Sequence, residues 1–389
     1  MIMLRKLFFI GFRLVPVFHG SAQIVPGAGN TSQYLKLLKG SKIGVVANAA
    51  SVVNGTNTVD TLLSMGLKVR KIFTPEHGFR LNADAGKEVA GSVDSATNLP
   101  IISLYGKKKM PDAKDMEGIG MMVFDLQDVG VRFYTYISTL SLVMESCARY
   151  HVPLVVFDRP NPNGFYVDGP VLEKEYASFI GMHPVPVVYG MTIGEYARMV
   201  NGEGWLPDGL QCDLTVIPCT GYQHSMRVSL PVPPSPNLTS DNAILLYPSL
   251  CFFEGTVISV GRGTCYPFEV FGHPELRGFS FSFTPEKIPG MSENPPFLNI
   301  PCRGLDLRTF YRDKPKLLGR INLSWLKMAY IDLLSQPDLF FNSYFDKLAG
   351  NSTLRQQIIQ GDSEQKIRAA WQPGLENFLK IRSKYLLYP

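Results

Sequence analysis

The chain of 389 residues is longer than one compact core usually holds, so its length favours two domains. Hydrophobic residues make up 45% of it and charged residues 18%, a balance that fits a globular protein with a substantial core and argues against disorder. The formal net charge of +5 falls to +2 without Arg5, Lys6 and Arg13 of the first 22 residues, so the charge gives no reason to expect a nucleic-acid partner.

The first 22 residues have the pattern of a secretory signal peptide. The basic pair Arg5-Lys6 precedes a mostly apolar stretch from Leu7 to Phe18, and Ser21-Ala22 is typical of a cleavage site. An N-terminal strand or a membrane anchor is the alternative, but the apolar stretch is short for a membrane span and Arg13 interrupts it. We therefore predict an exported protein, periplasmic or secreted, with no stable membrane insertion once residues 1–22 are removed.

Strands and helices alternate from about residue 42 to residue 160. Helical periodicity predicts helices from Thr56 to Met65 and from Ile137 to Tyr150. Short apolar stretches separated by helices are typical of a parallel sheet that helices cover on both faces. We therefore predict an α/β fold whose first domain, residues 23–170, is Rossmann-like, with a soft boundary that extends to about residue 200. The predicted strands are 42–47, 68–73, 100–104, 120–125 and 153–158.

Beyond Pro160 the chain is denser in proline and glycine, which predicts a second, smaller, mixed α/β domain at residues 171–389. Its C-terminal part is expected to be helical, with Pro373 in the first turn of the last helix. The six cysteines are expected to be buried free thiols, although a Cys212–Cys219 disulfide is an alternative. The predicted strands are 213–217, 257–260 and 279–284, and the predicted helices are 192–200, 241–252, 323–334, 363–371 and 373–386.

Polar side chains follow four of the strands predicted in the first domain. Because parallel strands point the same way, these side chains are expected at the carboxyl edge of the sheet, where α/β proteins bind their ligands. Any single Asp or Asn has another explanation, since both favour turns by bonding their own backbone. The candidate catalytic residues are Glu76, His77, Asp125 and Asp128, and the candidate substrate-binding residues of this domain are Asn48, Arg80, Gln127, Arg132, Tyr134, Tyr136, Asp158, Arg159, Asn161 and Asn163.

Missing motifs narrow the chemistry of this edge. The turn after the first strand, Asn48 to Gly55, lacks G-x-G-x-x-G, and no G-x-x-x-x-G-K-[ST] occurs, so we expect no nucleotide cofactor. The sequence also lacks the G-x-S-x-G of serine hydrolases. A metal-dependent hydrolase that uses Asp125, Asp128 and His77 stays an alternative, but no metal is predicted because the histidines are scattered.

Acid/base chemistry by a pair of carboxyl groups is the remaining interpretation, and glycoside cleavage uses such a pair. Glu76 suits the proton-donor role, because its neighbours Phe73 and Phe79 favour the protonated form. The three arginines Arg80, Arg132 and Arg159 suit an anionic group of the substrate. The faces of Tyr134 and Tyr136 suit sugar rings, with packing on a strand surface as the alternative.

The motifs, in this order, resemble those of bacterial exo-β-N-acetylmuramidases of cell-wall recycling, a family formerly described as a domain of unknown function. The resemblance covers essentially the whole chain after the leader. One departure is visible, since Leu81 to Asp84 stand where a glycine is expected soon after Arg80. The matching stretches are 73–80, 124–136, 158–164, 236–238, 246–248, 253–256, 259–264 and 267–269.

The resemblance implies an active site in a cleft between the two domains, with Glu76 as the catalytic carboxyl group. It implies release of N-acetylmuramic acid from the non-reducing end of peptidoglycan fragments, and the lactyl carboxylate of that sugar would explain the arginines. Asn237, Glu254, Arg262 and Glu269 of the second domain would close the cleft, or the charged ones form a structural ion pair between domains.

Two points stay open at the level of the sequence. The second carboxyl group has three candidates, Asp125, Asp128 and Glu254. A non-catalytic protein that binds peptidoglycan fragments is an alternative to an enzyme, because two domains with a cleft also describe binding proteins.

Overall fold

The computed structural model describes residues 24–76, 78–80, 92–333 and 337–389. The predicted signal peptide, His77 and the departure at Leu81 to Asp84 lie outside the described residues.

The first domain is built on a seven-stranded sheet with the order β11-β8-β7-β1-β4-β6-β5, whose neighbours are parallel except β5 and β6. The strands are β1 (Lys42–Ala47), β2 (Val52–Val53), β3 (Thr56–Asn57), β4 (Lys68–Thr74), β5 (Ser92–Val93), β6 (Pro100–Ser103), β7 (Met121–Asp125), β8 (Leu154–Phe157), β9 (Asp168–Val171), β10 (Pro186–Val188), β11 (Leu214–Ile217), β12 (Val270–His273), β13 (Phe281–Phe283) and β14 (Cys302–Asp306).

Helices cover both faces of this sheet and make up much of the second domain. The α-helices are α1 (Thr31–Leu38), α2 (Thr58–Ser64), α3 (Ala113–Met116), α4 (Tyr136–Arg149), α5 (Ile193–Gly202), α6 (Asp241–Leu250), α7 (Phe310–Asp313), α8 (Ser324–Asp332), α9 (Pro337–Phe340), α10 (Phe345–Ala349), α11 (Thr353–Ile359) and α12 (Glu364–Arg382), and short 3₁₀ helices lie at Gly27–Gly29, Lys174–Tyr176, Pro207–Gly209, Cys251–Gly255 and Pro315–Leu317.

Six parallel strands, taken in chain order, follow the Rossmann arrangement 3-2-1-4-5-6, with the strand order reversing between β1 and β7. The α/β prediction with a Rossmann-like sheet is therefore confirmed. β11, predicted to belong to the second domain, pairs with β8 from Leu214↔Leu154 to Ile217↔Phe157. The assignment of β11 to the second domain is therefore wrong. The two paired strands are 60 residues apart in the chain, so no local feature of the sequence indicates that they pair. The division of the chain at residue 170 stays a prediction.

Alternation along β1 explains how the sheet forms two cores. Ile43 and Val45 pack with α1 and α2 on one face, while Val46 packs on the opposite face with α4, α5 and the second domain. The core on the second face continues without interruption into the helices of the second domain. The two domains therefore share one apolar interior.

The second domain contains a three-stranded antiparallel sheet of order β12-β14-β13. The stretch 257–260, predicted as a strand, forms only an isolated bridge from Ser259 to Gly272. The prediction of two terminal helices is also wrong, because α12 continues through Pro373. Its buried side chains Ile367, Trp371, Leu375 and Phe378 recur every three or four residues, so packing stabilises the helix across the proline.

Two further features concern the chain as a whole. Within the described ranges, no helix is both long and apolar enough to cross a membrane. All six cysteines are free, so Cys212 and Cys219 form no disulfide here, and five are buried as predicted, whereas Cys265 is exposed.

Candidate active site

The candidate site begins at the turn that follows β4. The strand ends at Thr74, and Gly78 closes the turn with a φ of 79° and a hydrogen bond from its N–H to the Pro75 carbonyl. Glu76 is half-buried and lies between these two positions, at the carboxyl edge of the sheet. His77, predicted to act beside it, lies outside the described residues.

Glu76 lines a pocket whose empty space, counted out to open solvent, is about 490 Å³. One wall comes from the segment between β7 and α4, and the opposite wall comes from the chain beyond residue 230. The pocket is therefore formed by both parts of the protein. Its lining residues are Glu76, Phe133, Tyr134, Thr135, Tyr136, Ser235, Asn237, Leu238, Tyr247, Arg262 and Phe268.

The pair Tyr134 and Tyr136 forms the wall of the pocket that belongs to the first domain. Their ring centroids are 4.6 Å apart, and the Tyr134 hydroxyl donates to the Pro234 carbonyl over 2.8 Å. Asn48 is fully buried and donates from Nδ2 to the Tyr136 hydroxyl over 2.8 Å. Burial raises the pKa of both phenols, so they are neutral hydroxyl groups at the pocket. Asn48 supports this wall instead of lining it.

Arg262 brings a positive charge to the pocket from the second domain. Its Nε and Nη2 lie 2.8 and 2.6 Å from the Glu254 Oε1, and its guanidinium lies 5.2 Å from the centre of the Phe268 ring. Burial opposes the charge, but the carboxylate of Glu254 outweighs it and raises the pKa of Arg262. Both side chains are about a quarter exposed, so this ion pair is accessible from the pocket.

Two tyrosines near Glu76 were absent from the sequence prediction. The Tyr105 hydroxyl makes a side-chain hydrogen bond to Glu76, and burial together with the charge of Glu76 raises the pKa of Tyr105 to about 12. The Tyr344 phenol, from the second domain, is within electrostatic range of Glu254 and Glu76. Tyr105 follows β6 at the same sheet edge, which is the one signal that would have identified it.

Asp125 and Arg159, predicted as site residues, form a buried ion pair below the edge of the sheet. The Arg159 Nε and Nη2 donate to the two carboxylate oxygens of Asp125 over 2.5 and 2.9 Å, and the Thr58 hydroxyl also donates to Asp125. Asp125 is fully buried and Arg159 is 4% exposed. Because Thr58 is the first residue of α2, the Asp125 carboxylate lies at the N-terminus of this helix. Rossmann proteins that bind a cofactor place its phosphates at the corresponding helix N-terminus.

Asp128 and Asp158 are buried too, each within its own hydrogen-bond network. Asp128 accepts hydrogen bonds from the Tyr189 hydroxyl and the Gly130 N–H. Asp158 accepts from the Thr192 hydroxyl and the Gly194 N–H. Burial raises the pKa of each carboxyl group to about 6. Neither residue lines the Glu76 pocket, so their placement does not support direct contact with a substrate there.

The remaining amides predicted for the first domain stabilise loops. Asn161 donates to the Met191 carbonyl, and Asn163 donates to the carbonyls of Val129 and Ile244. Gln127 donates to Pro160 and also lines a separate groove, of about 1970 Å³ counted out to solvent, which shares no described lining residue with the Glu76 pocket. These amide side chains therefore stabilise the backbone of the loops at this edge of the sheet by hydrogen bonds.

Arg132 is fully buried, and its guanidinium binds backbone instead of an anion. Nη1 donates to Pro170 and Val185, and Nη2 donates to Leu348 and Ala349, each over 2.8 Å. These bonds connect the β9–β10 pair with the end of α10. The substrate-binding prediction for Arg132 is not supported by this placement.

Of the last predicted residues, Asn237 lines the pocket, whereas Arg80 and Glu269 do not. Arg80 pairs with Asp94 through two bonds of 2.7 and 2.9 Å, outside the pocket lining. Asn237 lines the pocket, whereas Glu269 accepts from Asn242 over 2.7 Å. In the part of the chain that the structure describes, no three His, Cys, Asp or Glu side chains are grouped as metal ligands.

The protein is an α/β protein with a Rossmann-like sheet, and a carboxyl group at the edge of that sheet lines the same pocket as an arginine from the second domain. Comparison with known proteins identifies its class. Residues 43–242 match the family model described as the N-terminal part of the exo-beta-N-acetylmuramidase NamZ, and residues 245–388 match the C-terminal part.

The chain is 39% identical over 373 residues to the peptidoglycan beta-N-acetylmuramidase NamZ of Bacillus subtilis, covering 91% of this chain and 89% of the relative. Crystal structures of two DUF1343 family proteins of Bacteroides fragilis are similar to it. They are 43% and 27% identical, with TM-scores of 0.87 and 0.81, and in each case 94% of this chain and 99% of the other chain are covered. The chain belongs to the exo-β-N-acetylmuramidase family, and it is a glycosidase.

Proposed function

We propose that the protein releases N-acetylmuramic acid from the non-reducing end of peptidoglycan fragments, with Glu76 as the general acid. One observation supports this proposal above all others: Glu76 from the first domain and Arg262 from the second line the same pocket. The relative from Bacillus subtilis, which is named as a peptidoglycan β-N-acetylmuramidase, supports the choice of substrate.

Glu76 would donate a proton to the glycosidic oxygen as the bond to the anomeric carbon breaks. Five of the residues that line the pocket are aromatic and could pack against a sugar ring, namely Phe133, Tyr134, Tyr136, Tyr247 and Phe268. The neutral hydroxyls of Tyr134 and Tyr136 add hydrogen-bonding groups without adding charge.

Arg262 is our proposed ligand for the lactyl carboxylate, the group that distinguishes muramic acid from glucosamine. Guanidinium and carboxylate groups match in shape and charge. Both contacts to Glu254 use the Nε–Nη2 edge of the guanidinium, so a substrate carboxylate would approach from the Nη1 side. Glu254 thereby orients the arginine towards the pocket.

Glu254 is also our candidate for the second carboxyl group. Asp125 and Asp128 are held in buried contacts away from the pocket lining. Glu254 does not line the pocket either, but it is a quarter exposed and is paired with Arg262, which does. An ionised carboxylate at this position would stabilise positive charge on the sugar or activate water.

The proposal is tested with leaderless protein and a chromogenic β-N-acetylmuramide, compared with the matching β-N-acetylglucosaminide. We expect the wild-type protein to release N-acetylmuramic acid from the muramide. We expect Glu254→Gln to do so at least about 100-fold more slowly, which is roughly the contribution of one acid/base group. Glu376→Gln, at an exposed position of α12, is the matched control and is expected to keep full activity. Absence of release from the muramide by the wild-type protein would refute the function, and full activity of Glu254→Gln would refute that role alone.

Export is a separate proposal, supported by the pattern of residues 1–22. We expect the protein expressed with its leader to be recovered outside the cytoplasm with Gln23 as its first residue. N-terminal sequencing of the fractionated protein is the measurement, and recovery in the cytoplasm with an intact leader would contradict the proposal.

A further inference from the structure

Tyr105 and Glu76 are brought together by the register of two neighbouring strands. β4 and β6 are parallel, and Thr74 pairs with Ser103 at their carboxyl ends. The Leu104 N–H donates to the Thr74 carbonyl over 2.8 Å, which extends the pairing by one more step. Glu76 and Tyr105 each lie two residues beyond the paired positions, so their side chains leave the sheet edge side by side.

The contact between these two side chains is directional. The phenol of Tyr105 donates its hydrogen bond to the Glu76 carboxyl group, and the positive charge of Arg262 is close enough to act on the same phenol. Tyr105 is itself half-buried at the end of β6. A carboxyl group that receives a hydrogen bond on one oxygen has its orientation fixed, and the other oxygen is left to carry the transferable proton.

We propose that Tyr105 is the positioning residue of the general acid: its hydroxyl holds one oxygen of Glu76 so that the protonated oxygen faces the glycosidic bond. This inference rests on the proposed function for its catalytic consequence, but the hydrogen bond it invokes is measurable without any substrate. Tyr105 acts through Glu76 and makes no bond to the sugar in this account.

The first test is kinetic and uses Tyr105→Phe, which removes the hydroxyl and keeps the ring. We expect kcat for a muramic-acid-terminated saccharide, whose leaving oxygen needs a proton, to fall about 10- to 100-fold, as for a misplaced catalytic group, with KM within about twofold of wild type. Loss of a donor to the carboxylate favours the protonated acid, so the alkaline limb of the pH profile of kcat/KM is expected to move to higher pH.

The matched control is Tyr311→Phe. Tyr311 is also a buried phenol, bonded to the Ser249 side chain away from the pocket lining. Removal of the Tyr311 hydroxyl is expected to leave kcat, KM and the pH profile unchanged. Melting temperatures of both variants, measured beside wild type, show whether each protein is folded before its kinetics are compared.

The second test does not need turnover. The carboxyl carbon of Glu76, labelled with ¹³C and assigned by its loss in Glu76→Gln, is titrated by NMR in wild type and in Tyr105→Phe. We expect the titration midpoint to rise by roughly one pH unit in the variant, because a donor to the charged form has been removed. Equal midpoints would overturn the inference whether or not the protein cleaves muramides. If the midpoint is raised in Tyr105→Phe but the wild-type protein does not cleave muramides, the inference stands and the proposed function is refuted.

Discussion

Replacement of Arg132 by methionine is expected to destabilise the fold and to leave the chemistry of the pocket unchanged. The side chain is 0% exposed, and its two terminal nitrogens donate to four backbone carbonyls. Burial lowers the pKa of Arg132 to about 9, so the guanidinium stays charged at neutral pH and its four hydrogen bonds are charge-assisted.

The size of the effect follows from these bonds. Four hydrogen bonds from a charged donor, at about 1.5–3 kcal/mol each, give roughly 6–12 kcal/mol before any offset. Removal of a buried charge relieves a desolvation penalty of several kcal/mol, and the methionine side chain fills part of the space. The net loss of unfolding free energy is therefore expected to be about 3–5 kcal/mol.

The assay is urea denaturation at neutral pH and 25 °C, with the activity per folded molecule measured in parallel. Arg312→Met is the matched control, because the Arg312 side chain is 76% exposed and its removal is expected to change the unfolding free energy by less than about 0.5 kcal/mol. A loss below about 1 kcal/mol for Arg132→Met, together with a KM raised several-fold, would refute this reasoning and restore Arg132 as a substrate ligand.

Three further predictions follow from other contacts. Asp125→Asn leaves the buried Arg159 without its carboxylate, and thermal denaturation is expected to show a loss of about 3 kcal/mol; an unchanged melting temperature would contradict this. Burial lowers the pKa of His183 to about 4, so the unfolded chain takes up a proton below pH 6.5 before the folded protein does. The unfolding free energy of wild type, relative to His183→Gln, is therefore expected to fall by about 1.4 kcal/mol per pH unit as pH drops from 6.5 to 4, and parallel pH curves would contradict it. Arg262→Met is expected to reduce the preference for the muramide over the glucosaminide by about 10- to 100-fold in kcat/KM, and an unchanged ratio would exclude Arg262 as the ligand of the lactyl carboxylate.

The sheet of the first domain was predictable because each strand carries its own signal. β1 is uninterrupted and apolar, and its predicted bounds, Lys42 to Ala47, are the observed ones. β11 was assigned to the wrong domain because its partner β8 is distant in the chain and the sequence around β11 is rich in proline. The predicted break at Pro373 failed for the opposite reason. A proline is a strong local signal for a helix boundary, but the packing of α12 on the core outweighs it.

The candidate site was predictable only to the level of the sheet edge. Alternation and strand direction place Asp125, Arg132 and Asp158 at that edge, but they do not say whether a side chain points into the pocket or into the protein. In the structure all three are fully buried and satisfy partners from elsewhere in the chain. Tyr105 was missed for the converse reason, because a single phenol after a short strand carries no motif, and only the register of β4 and β6 brings it to Glu76.

The central claim, that Glu76 is the general acid, is tested most directly by the leaving-group dependence of Glu76→Gln. A general acid matters most when the leaving oxygen is a poor leaving group. We therefore predict that kcat/KM falls at least about 100-fold for a muramic-acid-terminated saccharide, and far less for an activated aryl muramide. Equal activity of Glu76→Gln and wild type on both substrates, or an equal loss on both, would contradict the account.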